Sequence, residues 1–169
     1  FGLNDGVVDQ HALFKNLKLN STKRKLIQQL ELLIIDEVSM LRSDTLDAIN
    51  TILKTMRKSR HPFGGVQVLF IGDLYQLPPV VKDDEKVLLD RYYDSPFFFD
   101  AHVLKENPLI NIELTKIYRQ SDQPFIDLLN KLRHNALENE DYELLNSRYD
   151  PYFEKGSMHY ITLTTHNHK

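Results

Sequence analysis

Leu32-Leu33-Ile34-Ile35-Asp36-Glu37 and Val66-Gln67-Val68-Leu69-Phe70-Ile71-Gly72-Asp73 decide the fold of this chain. Each is a strand-length apolar run that ends abruptly in acidic residues. Runs of this kind suit strands buried on both faces of a parallel sheet. Between them Leu46, Ile49, Leu53 and Met56 keep helical spacing. Ser43 is the expected N-cap, with Asp44 and Asp47 near the start. Lys54, Arg57, Lys58 and Arg60 crowd the other end, where the helix dipole favours cations. Pro62 and Gly64-Gly65 then stop the helix and release the second strand. Strands alternating with helices argue for an α/β domain built on a largely parallel sheet.

Working outward, residues 1–20 carry scattered apolar side chains among Gly, Asn and Asp and read mostly as loop. Ser21 is the expected cap of a helix running to Leu30, with Leu26, Ile27 and Leu30 on its buried side. Lys23, Arg24 and Lys25 in its first turn go against the dipole. Downstream, Lys82 to Glu85 reads as a solvated stretch, and Tyr92, Tyr93 and Phe97 to Phe99 as core packing. Leu109 to Leu114 reads as a third strand. Asp122, with Pro124 behind it, opens a helix to Arg133, and Glu138 to Tyr149 forms another. Tyr160 to Thr164 reads as a last strand.

Composition sets the outer limits. With 169 residues, 41% hydrophobic and 27% charged, the chain is an ordinary globular sequence, sized for one domain or one domain and part of a second. It has no cysteine, which excludes a disulfide framework and thiolate metal sites and fits a reducing, cytoplasmic setting. No apolar run approaches the roughly 20 residues of a membrane helix. Net charge is −3, so any nucleic-acid contact must come from local groups rather than a global basic field. The basic stretch Lys54 to His61 could touch phosphates but reads first as a dipole-complementing helix end. The opening at Phe1 and the stop at Lys169 read as a piece of something longer.

The chemistry concentrates at the two strand ends. In nucleotide-binding α/β sheets, ligands gather at the carboxyl ends of the strands. There Asp36 can hold Mg²⁺ through its water shell, because that ion keeps several waters. Glu37 can polarise an attacking water as general base. An acidic turn after a strand is the plain alternative for this hexapeptide taken by itself. The second strand leads into Gly72-Asp73-Leu74-Tyr75-Gln76-Leu77-Pro78-Pro79-Val80. Gln76 can donate to a phosphate oxygen and accept from a water at once. Pro78 and Pro79 stiffen the loop behind it. His166-Asn167-His168 has no accompanying ligand cluster, so no metal site is expected there.

Asp36-Glu37-Val38-Ser39-Met40, the Gly72 to Val80 element and Ile117-Tyr118-Arg119-Gln120, in that order, resemble superfamily 1 DNA helicases of the RecD-like and PIF family. The first resembles the family's Walker B motif, the second its motif III, and Tyr118-Arg119-Gln120 its motif IV. Thr162 to Asn167 resembles the opening strand of a second RecA-like domain. The resemblance implies a RecA-like P-loop NTPase sheet flanked by helices. It implies three segments: residues 1–115 as the later part of a first RecA-like domain, 116–157 as a helical connection, and 158–169 as the start of a second. It implies ATP and Mg²⁺ as cofactors, with Asp36, Glu37, Gln76 and Arg119 around the nucleotide and Arg119 near the γ-phosphate. It also implies single-stranded DNA and duplex junctions as partners, with Pro78, Thr165 and Asn167 as contacts.

One family element is absent. Glycines stand only at 2, 6, 64, 65, 72 and 156, so no G-x-x-x-x-G-K-[ST] phosphate loop exists in the sequence. Truncation upstream is the expectation, leaving this chain inactive by itself and its sheet incomplete. The strand ending at Asp73 and the strand at Leu109 to Leu114 are then expected to pair across the gap or with another copy of the chain. Two further readings share the Asp-Glu strand end. One is another P-loop ATPase, such as a clamp-loader-like machine, and the other is a non-catalytic interaction module.

Overall fold

In a computed structural model, residues 13–15, 17, 19–153, 161, 163 and 164 are described. The two decisive runs pair as parallel strands, β1 (Leu32–Ile35) and β2 (Gln67–Phe70), with Leu33 opposite Val68 and Ile35 opposite Phe70. Parallel strands need a long crossover. Here it contains the 3₁₀ turn Val38–Met40, a helix α2 (Ser43–Met56) and a second 3₁₀ turn, Pro62–Gly65. Helix α1 (Ser21–Gln29) precedes β1. After β2 come α3 (Asp83–Leu89) and α4 (His102–Glu106), with the 3₁₀ turn Phe98–Asp100 just before α4.

The core sits on one face of the sheet. Leu46 and Leu53 of α2 pack with Val38, Phe63, Val66, Phe98, Ala101, Val103 and Leu104, and the sheet contributes Leu33, Ile35, Val68 and Phe70. Phe70 and Phe98 stack at 5.3 Å. The expectation of burial on both faces is therefore corrected. Leu32, Ile34, Leu69 and Ile71 are 43–54% exposed, because among the described residues helices cover a single face. The alternation of side chains across a strand does the rest.

Four local expectations change for identifiable reasons. Asn20, not Ser21, caps α1, its side chain accepting from the Lys23 amide at 2.8 Å. Leu26 of that helix is exposed, while Ile27 and Leu30 pack on the core. Ser43 does not cap α2 but lies fully buried in its first turn, its amide donating to the Pro96 carbonyl at 2.9 Å. Lys82 to Glu85 is not simply solvated, since Asp83 opens α3 and Glu85 accepts from Arg42 at 2.6 Å. Arg42 also forms a two-bond fork with Asp44 at 2.8–3.0 Å, and its hydrogen bond holds the Glu85 carboxyl below its usual range.

Arg57, at the C-terminal end of α2, ties three segments together. One guanidinium nitrogen donates to the carbonyls of Ile27, Gln28 and Leu30 at 2.7–3.1 Å, and Nε donates to Gly64 at 2.9 Å. Gly64 turns at φ 66°, and a Cβ there would lie 2.7 Å from the Leu53 carbonyl oxygen. No larger residue fits that approach.

The chain divides into two compact units, Phe1–Glu113 and Leu114–Lys169. In the second, α5 (Gln123–Arg133) starts as the sequence predicts, with Asp122 capping and accepting from the Phe125 amide. Helix α6 (Asn139–Asn146) is capped by a reciprocal pair, Glu138 and Asp141. Lys131 of α5 reaches both carboxylates at 3.0–3.1 Å and so joins the two helices.

Leu109 to Leu114 is not a strand. Ile110 and Ile112 are 93% and 79% exposed, and the segment pairs neither with β2 nor with any other described strand. The alternating pattern is present, but a strand exists only against a neighbour that takes its backbone hydrogen bonds. The last expected strand lies partly outside the described residues, and Ile161, Leu163 and Thr164 carry no strand. Most of residues 1–20 also lie outside them, and 13–15 are helical where loop was expected. No described helix is long and apolar enough to cross a membrane.

Candidate functional site

The parallel register puts the carboxyl ends of β1 and β2 at the same edge of the sheet, so Asp36-Glu37 and Gly72-Asp73 leave it together. Asp36 is exposed, and its Oδ1 accepts from the Glu37 amide at 2.8 Å. Its second oxygen has no hydrogen bond within the described residues. Glu37 stands in the left-handed region at φ 52°, ψ 43°, with its side chain exposed. For a non-glycine residue that conformation costs roughly 1–2 kcal/mol and persists only where its surroundings dictate it. Three backbone hydrogen bonds surround it: Val38 N–H donates to the Ile71 carbonyl and Leu41 N–H to the Val38 carbonyl, both at 3.0 Å, and Met40 N–H donates to the Glu37 carbonyl at 3.1 Å.

The second strand end builds a turn around one carboxylate. Asp73 Oδ1 accepts from the Tyr75 amide at 3.0 Å, Oδ2 accepts from Gln76 Nε2 at 3.3 Å, and its carbonyl accepts from the Gln76 amide at 3.1 Å. Gln76 is thus oriented by Asp73 while staying exposed. Of the two prolines, Pro78 is exposed and Pro79 is buried, which anchors the loop behind Gln76.

Gly72 brings the two turns into contact. A Cβ at this position would lie 2.8 Å from the Val38 amide nitrogen, 3.0 Å from Val38 Cγ1 and 3.4 Å from the Ser39 nitrogen. Ser39 itself is 1% exposed, and its Oγ has no hydrogen-bond partner among the described residues.

Arg119 lies in the second unit, exposed, in the segment before α5. Next to it Lys116 Nζ sits 4.8 Å from the Tyr118 ring centroid, and Gln120 Oε1 accepts from the amides of Ser121 and Asp122. Asp36, Glu37 and Gln76 therefore share one sheet edge, Pro78 follows them, and Arg119 belongs to the other unit. Thr165 and Asn167 lie outside the described residues.

Sequence reasoning quoted Gly72 and Asp73 as parts of a motif without giving either a task. The signal available was the Asp-x-x-Gln spacing, which suits a side chain closing a turn on its own backbone. No group of three or more His, Cys, Asp or Glu suited to a metal occurs among the described residues. Mg²⁺ does not require one, because it is commonly held by one or two carboxylates together with waters and phosphates. An exposed Asp36 oxygen without a hydrogen bond among the described residues is compatible with that mode.

The chain resembles known proteins over most of its length. The family model for PIF1-like helicases matches residues 3–143. The chain is 34% identical over 140 residues to the ATP-dependent DNA helicase PIF1 of Saccharomyces cerevisiae, a match covering 82% of this chain and 16% of the yeast protein. Among solved structures it resembles the Pif1 helicase from Bacteroides in complex with ADP-AlF3 and single-stranded DNA, with TM-score 0.78 and 40% identity over 85% of this chain and 36% of that one. A structure addressing unwinding at forked double-stranded DNA by two coordinating Pif1 helicases gives TM-score 0.77 and 41% identity, covering 83% of this chain and 37% of that one. The chain thus spans about a sixth of the yeast relative's length and about a third of these solved chains. Its paired parallel strands with flanking helices are a portion of a RecA-like α/β fold, and the chain belongs to the PIF1-like helicase family.

Proposed function

We propose that this chain is a segment of an ATP-dependent DNA helicase, in which ATP hydrolysis drives movement along single-stranded DNA and opening of duplex junctions. The observation that carries the reading is the common sheet edge of Asp36, Glu37 and the Asp73-held Gln76. The yeast relative is named an ATP-dependent DNA helicase, and the Bacteroides relative was solved with ADP-AlF3 and single-stranded DNA. In this reading Asp36 holds Mg²⁺ through water, and the ion, when bound, neutralises phosphate charge. Glu37 takes the proton of the attacking water. Gln76 orients that water or a phosphate oxygen. Arg119 supplies permanently charged donors to the phosphates.

Pro78, Thr165 and Asn167 are the proposed contacts to single-stranded DNA. Residues 1–115, 116–157 and 158–169 are the proposed first-domain part, helical connection and second-domain start. The cysteine-free composition supports a cytoplasmic setting. The sheet edges, unpaired among the described residues, support association of this chain with further copies of itself when it stands alone.

Glu37→Gln in the complete helicase tests the reading. Nucleotide binding should persist while DNA-stimulated hydrolysis falls by roughly 10²-fold or more, as loss of a general base requires. Unchanged turnover would remove Glu37 from the chemistry and favour the interaction-module reading.

A further inference from the structure

Glu37 is held in a conformation that its own residue type does not favour, and one of the groups that hold it belongs to the other strand end. Val38, the residue after Glu37, donates its amide to Ile71 at 3.0 Å. The next residue along, Gly72, approaches the same amide nitrogen so closely that a methyl group in its place would sit 2.8 Å away. Backbone atoms cannot yield at that distance as a flexible side-chain tip could. A side chain at 72 would have to push the Val38 turn outward, and Glu37 at φ 52° is the residue that would rotate in response.

We propose that Gly72 is a positioning residue for Glu37, and that the Ile71-Gly72 backbone is the link between the second strand end and the seat of Glu37. The inference rests on the helicase reading and adds a residue on which that site depends. No ligand contact by Gly72 is involved.

The test is Gly72→Ala in the complete helicase, with kcat and KM for ATP measured at saturating single-stranded DNA. Displacement of a catalytic group by about 1 Å costs on the order of 10²-fold in rate, so kcat should fall by that order while KM for ATP stays within about twofold. Gly65→Ala is the control. A methyl group at Gly65 would meet nothing within 4 Å, and the φ of +80° makes the substitution strained without crowding. It should lower the melting temperature and leave kcat in place.

If Gly72→Ala does not fold, Ile71→Gly decides instead. The Ile71 side chain is half-exposed, so its loss leaves the core whole, while glycine loosens the backbone whose carbonyl receives the Val38 amide. A reduced kcat with unchanged KM in that variant supports the link. An unchanged kcat in whichever variant folds overturns it. Should Glu37→Gln lack hydrolysis while these variants keep it, only this inference fails. Should Glu37→Gln hydrolyse normally, the helicase-base reading fails first.

Discussion

At position 47 a carboxylate stands inside the core and accepts from three donors at 3.0 Å: the Tyr93 hydroxyl and the amides of His102 and Val103. It therefore fixes the start of α4 from a neighbouring helix. Burial first, and the nearby Asp47 charge second, push the Tyr93 phenol far above its ordinary value. Asp47→Ala strands two buried donors and a part-buried one, and a cost of about 3 kcal/mol is expected in a denaturant melt of this chain. Asp47→Asn, which keeps one acceptor, should cost less. Ser39→Ala should behave oppositely. Its hydroxyl has no partner to lose, so stability should stay within about 0.5 kcal/mol. A larger loss would reveal a bond to that hydroxyl. Asp36, Glu37 and Gln76 were legible in the sequence because a strand end is a local signal. Asp47 was not, since its partners lie 46, 55 and 56 residues away and its sequence setting is that of a dipole-favouring acid.

Helices α5 and α6 owe their junction to Lys131, Glu138 and Asp141, and that junction titrates from both sides. The Asp141 carboxyl is held below its ordinary value, first by the Glu138 amide and then by Lys131. Its contribution is complete above its unfolded value and is lost as pH falls through the lower folded one. The Lys131 ammonium is raised above its ordinary value, first by Asp141 and then by Glu138. Its contribution is complete below the unfolded value and vanishes as pH rises through the higher folded one. Helicity of α5 and α6, followed by circular dichroism on residues 114–153, should hold across neutral pH and decline at both extremes. Lys131→Met should flatten the alkaline limb. The caps of these helices show what sequence can and cannot supply. Asp122 was readable because Pro124 and the apolar spacing follow it at once. Ser21 and Ser43 misled because a cap one residue earlier and a distant carbonyl, Pro96, took their places. Leu109 to Leu114 has the right alternation, yet strand formation is decided by a neighbour and not by the segment.

At the scale of the molecule, the α/β class followed from two apolar runs and the helix between them, while the one-sidedness of the sheet did not. Apolar residues on a strand record that a face is meant to be covered and say nothing of what covers it. With Leu32, Ile34, Leu69 and Ile71 half in water and both sheet edges unpaired among the described residues, this chain should associate as its concentration rises. Sedimentation velocity over a roughly hundredfold concentration range checks this. Ile34→Thr with Leu69→Lys should shift the distribution toward single chains at little cost in melting temperature, since both side chains are already half-exposed. The bare face also changes how a common assay reads. Dyes such as ANS brighten on accessible apolar surface, and that signal usually marks loosened packing. Here the brightening should coexist with a sharp near-ultraviolet dichroism from the stacked Phe70 and Phe98, and it should fade on heating, as the flat face that holds the dye breaks up.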